Sequence, residues 1–347
     1  MGTSFVQRVF VVVIVTLLCV VLWSLRDVLL LLFGAVLIAT TLRSIARPLI
    51  GVGDTVAVVI AAILVLAITI SVFSFFGAQL VDEGQQLATR FDAAFSRISS
   101  HIKFPSLGQL FGFSDPTSAI PQIVSRFLSW GISLTQAAIA LLLVLVGGFY
   151  LAVDPDSYCE GALKLVPPAY QNNARATIND ISGALHKWIT GQFTSMIIVG
   201  VLTGVGLWFA GVESAIALGV LAAFANFIPY IGSVLAALVT LVIAAAQGWD
   251  TLGWAAAVMF GVQQIESNVI APLVVGGAVS IMPATGLFSI VAMGVLFGPL
   301  GILFGFPLAI ATDIAIRRLY IRDALNEDVE ILGSSAARSD DVARFPN

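Results

Sequence analysis

The sequence predicts an all-α, polytopic integral membrane protein, and three observations carry that prediction. Apolar residues make up 59% of the chain and charged residues 10%, with a mean hydropathy of +1.02; soluble domains run at about 45–50% and about 25%. Apolar runs recur at close to the roughly 20 residues that a spanning helix needs. Between Trp188 and Ile316 the chain holds four acids (Glu213, Asp250, Glu266, Asp313) and no lysine or arginine. The net charge of −4 belongs to that segment, because the remaining acids equal the 16 bases in number.

The runs follow in order. Val9–Leu25 and Val28–Leu42 are parted only by Arg26 and Asp27, which reads as a tight helical hairpin. The first run lacks a small-x-small cleavage pattern and reads as a retained span rather than a signal peptide. Arg43, Arg47, Pro48, Gly51 and Gly53 break the chain before a span over Thr55–Phe76. Residues 78–128 are polar, with Leu80, Leu87, Phe91, Phe95, Ile98 and Ile102 at helical spacing, then a proline-bearing loop; this is an amphipathic insert outside the bilayer. Further spans fall at Trp130–Val153, Trp188–Ala210 and Thr251–Ile270. Residues 154–187 carry a second stripe (Tyr170, Ala174, Ile178, Ile181, Leu185) that packs against the spans or lies on the membrane surface. The organisation is N-terminal spans at 1–77, the insert at 78–128, a C-terminal transmembrane region at 129–322, and a polar tail at 323–347, disordered toward its end.

Two regions are interrupted. Ser214–Ile228 and Ser233–Gln247 are split by Pro229-Tyr230-Ile231-Gly232, and Ala284–Phe297 and Leu300–Ile316 by Gly298-Pro299. An arm of about 15 residues is only about 22 Å long, short of the hydrocarbon thickness. Each pair is two tilted spans, one kinked span or a re-entrant hairpin. Pro272 and Pro283 are further candidate breaks, since proline removes a backbone donor.

Several functions are excluded or left without support. Cys19 and Cys159 lie in different settings and make neither a disulfide framework nor a metal site. His101 and His186 sit in polar stretches and read as solvated. No phosphate-loop, nucleophile-elbow, metalloprotease or dinucleotide motif occurs, so no enzyme, ATP-driven pump or cofactor is expected. No basic tract suggests nucleic acid.

The acids are the chemistry. A carboxylate at the bilayer centre costs about 2.5–3.5 kcal/mol on insertion scales, so each must be protonated, hydrated, held by polar groups or matched by a cation. On an α-helix Gln263, Glu266 and Ser267 share a face, with Gln264 and Asn268 on the next. That cluster reads either as a proton- or cation-coupled site or as a satisfied interhelical hydrogen-bond network. Pro229, Tyr230 and Gly232 form a substrate-lining break or a plain turn, with Asn226 placed to cap it. Asp313 stands one helical turn before Arg317 and reads first as a salt bridge, then as a second candidate on the ion pathway. Glu213 and Asp250 fall at segment ends. Arg8, Arg43, Arg47, Arg317, Arg318 and Arg322 mark one side as cytoplasmic and place both termini there.

From Asp154 to about residue 320, order and spacing resemble the autoinducer-2 exporter family of bacterial membrane transporters. The matching pieces are Asp154-Pro155-Asp156, Pro167, Gly191-Gln192, Asn226-Phe227-Ile228-Pro229-Tyr230-Ile231-Gly232, Gln263-Gln264-Ile265-Glu266-Ser267-Asn268-Val269-Ile270-Ala271-Pro272, and Pro283. Residues 1–130 match only in hydropathy. The resemblance implies about eight spans in a bacterial inner membrane, export of a small polar solute, and a homo-oligomer with a pentamer as the candidate. It also implies sodium/proton exchange as an alternative, with proton or sodium as partner. It carries over no ligand set; Gln192 joins the candidate pathway with Asn226 and Glu266. A non-transporting membrane scaffold is the reading from another class.

Overall fold

The computed structural model describes residues 20–47, 53–67, 134–275 and 282–322, with positions 9, 10, 12, 13, 16, 17, 49, 70 and 71; at 134–140, 271, 274 and 275 it describes the backbone alone. The expected insert and polar tail lie outside the described residues. Those described are helical throughout their regular elements, with no strand among them.

The N-terminal layer is built from α1 (Arg26–Ala46), α2 (Asp54–Ala67) and α3 (Leu134–Val153). The expected hairpin at Arg26-Asp27 does not form. Helical bonds continue across it, from the Leu25 amide to the Val21 carbonyl and from the Leu29 amide to the Leu25 carbonyl, both at 2.9 Å. The two charges ride on the helix because each has a local partner. The Arg26 guanidinium lies 4.8 Å over the Trp23 ring and 3.8 Å from Asp27. α1 and α3 approach closely at Gly147 and Gly148, which meet Ala35 and Ile38. Ala39, Leu42, Val58, Ala61 and Ala152 close the seam with α2. Outward residues such as Ile63, Leu142 and Leu143 are exposed aliphatics, the surface that lipid solvates.

At Asp154 the chain turns by 91° into α4 (Pro155–Leu163). The corner is well satisfied. Arg43 Nε donates to the Ala152 carbonyl at 3.0 Å, and Asp154 caps α4 by accepting from the Ser157 amide at 3.2 Å. Hydrogen bonds from Ser157 hold the Asp154 carboxyl below its ordinary range.

A 3-10 turn at Pro168–Tyr170 leads into α5 (Gln171–Phe209). The sequence suggested a separate stripe at 170–185 and a span from Trp188. No breaker separates them, and they form one helix of 39 residues, about 58 Å long. Its polar first half extends past the apolar run. Leu185 is buried while Tyr170 and Ile178 are exposed, so only the inner part of the stripe packs against the spans. His186 is not solvated. Arg47 Nη1 donates to its Nε2 at 3.1 Å, and its Nδ1 meets the Ser44 hydroxyl, joining α1 to α5. Arg318 and Asp180, both largely buried, form an ion pair between the stretch after the second interrupted region and the same helix.

Both predicted interruptions are breaks, and both fold back. α6 (Ala215–Ala225) and α7 (Ile231–Gln247) run antiparallel. Ala222, Ala225 and Ala236 pack at the tip, Leu218, Val239 and Ile243 further down, and the Glu213 amide reaches Gln247 Oε1 at 3.1 Å at the open end. α8 (Trp249–Ile265) continues as a π-helical stretch at Glu266–Val275 containing Pro272. α9 (Pro283–Ala315) is two arms, turned at Gly298, whose φ of 66° and ψ of −145° no L-residue adopts readily. Gly286 faces Phe306, Gly294 faces Ile302 and Gly305 faces Ile290 across the arms. Pro283 opens the first arm at its first turn, where its missing amide costs nothing; it starts a helix and does not hinge one. The chain then runs on through a π-helical stretch at Ile316–Arg322.

A Cβ placed on Gly232 would sit 1.6 Å from the Ala225 carbonyl oxygen. Backbone cannot yield as a flexible side chain does. Gly232→Ala is therefore expected to lower stability by at least the roughly 1–3 kcal/mol of an overpacked core, read as a fall in the thermal unfolding midpoint in detergent. Gly161→Ala, where nothing lies within 4 Å, is the neutral control.

Candidate functional site

The site forms where the first hairpin tip meets α5. α5 and α6 pack along a face of small residues, Gly200 and Gly204 against Gly219 and Ala223, so their backbones come close. That closeness brings the end of α6 to Gln192 and Ser195, about 6–10 Å inside the apolar run that starts at Trp188.

Three polar residues are buried there: Gln192 at 6% exposure, Ser195 at 6% and Asn226 at 2%. Gln192 Nε2 donates to the Asn226 carbonyl at 2.5 Å, and Asn226 Nδ2 donates to Ser195 Oγ at 3.1 Å. The Glu266 carboxylate, half-buried at the first π-helical residue, lies beside the Asn226 side chain. Of the two Asn226 amide hydrogens, one goes to Ser195. One asparagine thus stands where α5, the hairpin tip and the end of α8 meet. Ser195 was missed in the sequence; its signal is its place three residues after Gln192, on the same helical face.

Beyond Asn226 the chain makes a turn that bulky residues rarely adopt. Tyr230 has φ 65° and ψ −56°, and the Ile231 amide donates to the Pro229 carbonyl at 2.8 Å. This is a γ-turn of the rare, strained hand, centred on a tyrosine. The Gly232 amide returns to the Ile228 carbonyl at 2.9 Å, and the Ser233 hydroxyl donates to the Tyr230 carbonyl at 3.2 Å. The break therefore bonds its own backbone, as an irregular segment within a membrane must. The Tyr230 ring lies beside Gly286 of the second hairpin. Trp188, 1% exposed, stacks near both Phe227 and Phe306, joining the two interrupted regions through one side chain.

The structure divides the polar face expected around Glu266. Glu266 turns inward to Asn226, whereas Gln263, Gln264, Ser267 and Asn268 are exposed. The pairs Gln263 with Ser267 and Gln264 with Asn268 keep the i,i+4 neighbourhood that helical spacing gives them; Glu266 alone departs from the exposed face. On the exposed face, Asn268 Nδ2 donates to the Gln264 carbonyl at 2.9 Å and to its Oε1 at 3.0 Å, and the Ser267 hydroxyl bonds the Gln263 carbonyl at 2.8 Å. Pro272 lies inside the π-helical stretch, exposed. Asp313 is elsewhere: it accepts from Arg317 Nε at 2.8 Å, one helical turn away. Gly298 and Pro299 make the second hairpin's turn, apart from the Asn226 cluster. Among the described residues, no group of three or more His, Cys, Asp or Glu could hold a metal ion.

A family model described as "AI-2E family transporter" matches residues 10–321. Over 216 residues the chain is 26% identical to the AI-2 transport protein TqsA of Escherichia coli, covering 61% of this chain and 60% of that one. Over 191 residues it is 27% identical to "Putative transport protein YueF" of Bacillus subtilis, covering 54% and 52%. Over 189 residues it is 29% identical to "Putative permease PerM" of Escherichia coli, covering 54% and 53%. The chain spans about half the length of the curated relatives it matches.

Asn226→Ala leaves Ser195 without its amide partner and removes the amide that lies beside Glu266. Interhelical hydrogen bonds in membranes are worth about 0.6–1.7 kcal/mol each, so the loss should come to roughly 1–3 kcal/mol. Thermal unfolding of the purified variant checks this. Asn226→Leu, which also fills volume, should recover less than half of the deficit if the hydrogen bonds rather than packing are what is lost.

Proposed function

This chain belongs to the AI-2E family of transporters, and on that premise we propose that it is a secondary transporter exporting small polar molecules, an autoinducer-2-type signal or a related metabolite, across a bacterial inner membrane. The observation that carries the reading is the half-buried Glu266 carboxylate placed beside the Asn226 amide, next to a strained helix break. An ionisable residue among spanning helices is a functional group by default. Interrupted apolar segments are where transporter folds place substrate and coupling ions. The cargo class and the direction of transport rest on family membership and on what TqsA is named for. The basic residues support a cytoplasmic location for both termini.

In this mechanism Glu266 exchanges a proton or a cation. The change in charge alters its hold on Asn226, and with it the link between α5 and the hairpin tip. The strained turn at Tyr230 gives that tip a second arrangement to relax into. A sodium/proton antiporter uses the same carboxylate and is favoured by the excess of acids over bases between Trp188 and Ile316. The exposed face of Gln263, Gln264, Ser267 and Asn268 supports a further element of the proposal, a homo-oligomer in which a neighbouring subunit covers these amides; a pentamer is the candidate.

Glu266→Gln keeps size and removes the titratable charge. In proteoliposomes under imposed proton or sodium gradients, gradient-driven solute flux should fall roughly tenfold or more, equivalent to at least about 1.4 kcal/mol, while assembly survives. Unchanged flux from a well-folded variant removes Glu266 from the coupling role. Ion exchange without solute movement in the parent protein selects the antiporter, and no movement of either selects a scaffold. Asn268→Cys, in a background lacking the two native cysteines, should form intermolecular crosslinks in native membranes; monomer alone would refute the covered face.

A further inference from the structure

The mechanism makes no use of α4 and the residues just after it, yet their surface is sorted in an unusual way. Leu163 is 4% exposed and points into the protein. Tyr158 is 51% exposed and Leu165 is 87% exposed. At about 100° per residue, Tyr158, Ala162 and Leu165 fall on one face, and Asp156, Glu160 and Lys164 on another. The helix therefore has three sides: one against the protein, one apolar and uncovered, one charged and uncovered. A soluble surface helix has two.

The position of α4 says what covers the apolar side. α3 reaches the corner as a bilayer-facing helix, with Leu142, Leu143, Val146 and Tyr150 exposed. A single residue, Asp154, separates its end from α4, and the axis turns by 91°. A helix that starts one residue beyond a span and runs at right angles to it lies parallel to the membrane plane, at the level where hydrocarbon gives way to headgroups. The corner that sets this angle is fixed by Arg43 on the Ala152 carbonyl and by the Asp154 cap, so the direction is built in. The uncovered apolar stripe continues the lipid-facing surface of α3 around the corner.

We propose that α4 is an interfacial helix bound to the phospholipid surface from which α3 emerges, with Tyr158, Ala162 and Leu165 inserted at the headgroup–acyl boundary and Glu160 and Lys164 in water. Such helices bury their apolar face about 5–10 Å into the boundary. Held at its far end by the Glu160–Arg175 pair at 3.7 Å, α4 ties the foot of α5 to the level of the bilayer surface.

The test uses the full chain with both native cysteines replaced by serine. Ala162→Cys, Leu165→Cys and Glu160→Cys are each spin-labelled and reconstituted into vesicles of phosphatidylethanolamine and phosphatidylglycerol. All three sites are exposed; Glu160→Cys also removes the surface pair with Arg175, of a kind that contributes little to stability, so its label serves only as the water-side reference. Labels at 162 and 165 should collide with dissolved oxygen in preference to a water-soluble nickel chelate, at a depth of about 5–10 Å, and the label at 160 should show the reverse preference. A nickel preference at 165 equal to that at 160 places the stripe in water and overturns the proposal. Shielding of 165 from both reagents places protein on the stripe, from a second copy or another segment, and overturns it equally.

Discussion

Everything in the C-terminal region answers to one constraint: a chain that turns inside the membrane must bond its own backbone. At 226–232 the helix stops and its end groups need partners. Gln192 takes the Asn226 carbonyl, Ile231 takes the Pro229 carbonyl and Gly232 takes the Ile228 carbonyl. The rest of the local design follows from making those bonds possible. The small residues of α5 and α6 let Gln192 reach, the absent side chain of Gly232 lets the arms close on Ala225, and Trp188 fills the space between the first hairpin's tip at Phe227 and the second hairpin's later arm at Phe306.

The Asn226 cluster is economical in its wiring. A carboxylate within a membrane needs partners, and Glu266 lies beside an amide that is already engaged with α5. The strained geometry of Tyr230 lies four residues away, so a poised backbone and an ionisable group share one neighbourhood. Asp313, the other acid weighed for the pathway, is held instead by Arg317 at the end of the second hairpin.

What the sequence made legible was local. Pro229, Gly232, Gly298 and Pro299 announce breaks because their backbone chemistry is intrinsic, and the apolar runs announce spans because their length is. The clustering of Gln192 with Asn226 was not readable from spacing, since 34 residues separate them and only the α5–α6 small-residue seam brings them together. Arg26 and Asp27 misled because charges in an apolar run suggest a turn, whereas Trp23 lets the arginine stay on a helix. Around Glu266 the Gln263–Ser267 and Gln264–Asn268 pairs keep the i,i+4 spacing that the sequence gives them, whereas the inward turn of Glu266 was not readable because Asn226 lies far earlier in the chain. His186 was read as solvated because its partners, Ser44 and Arg47, come from α1, over 130 residues earlier in the chain.

The length of α5 has a mechanical consequence. Its 39 residues form a rod without proline, gripped by its neighbours along the membrane part and joined near its foot, where Asp180 meets Arg318, to the stretch that follows the second hairpin. Such a rod is a lever. A tilt of about 5° about one end displaces the other end of a helix about 58 Å long by about 5 Å, close to the rise of one helical turn. A tilt about the membrane end therefore moves the polar foot farther than any residue within the apolar part, in proportion to distance along the rod.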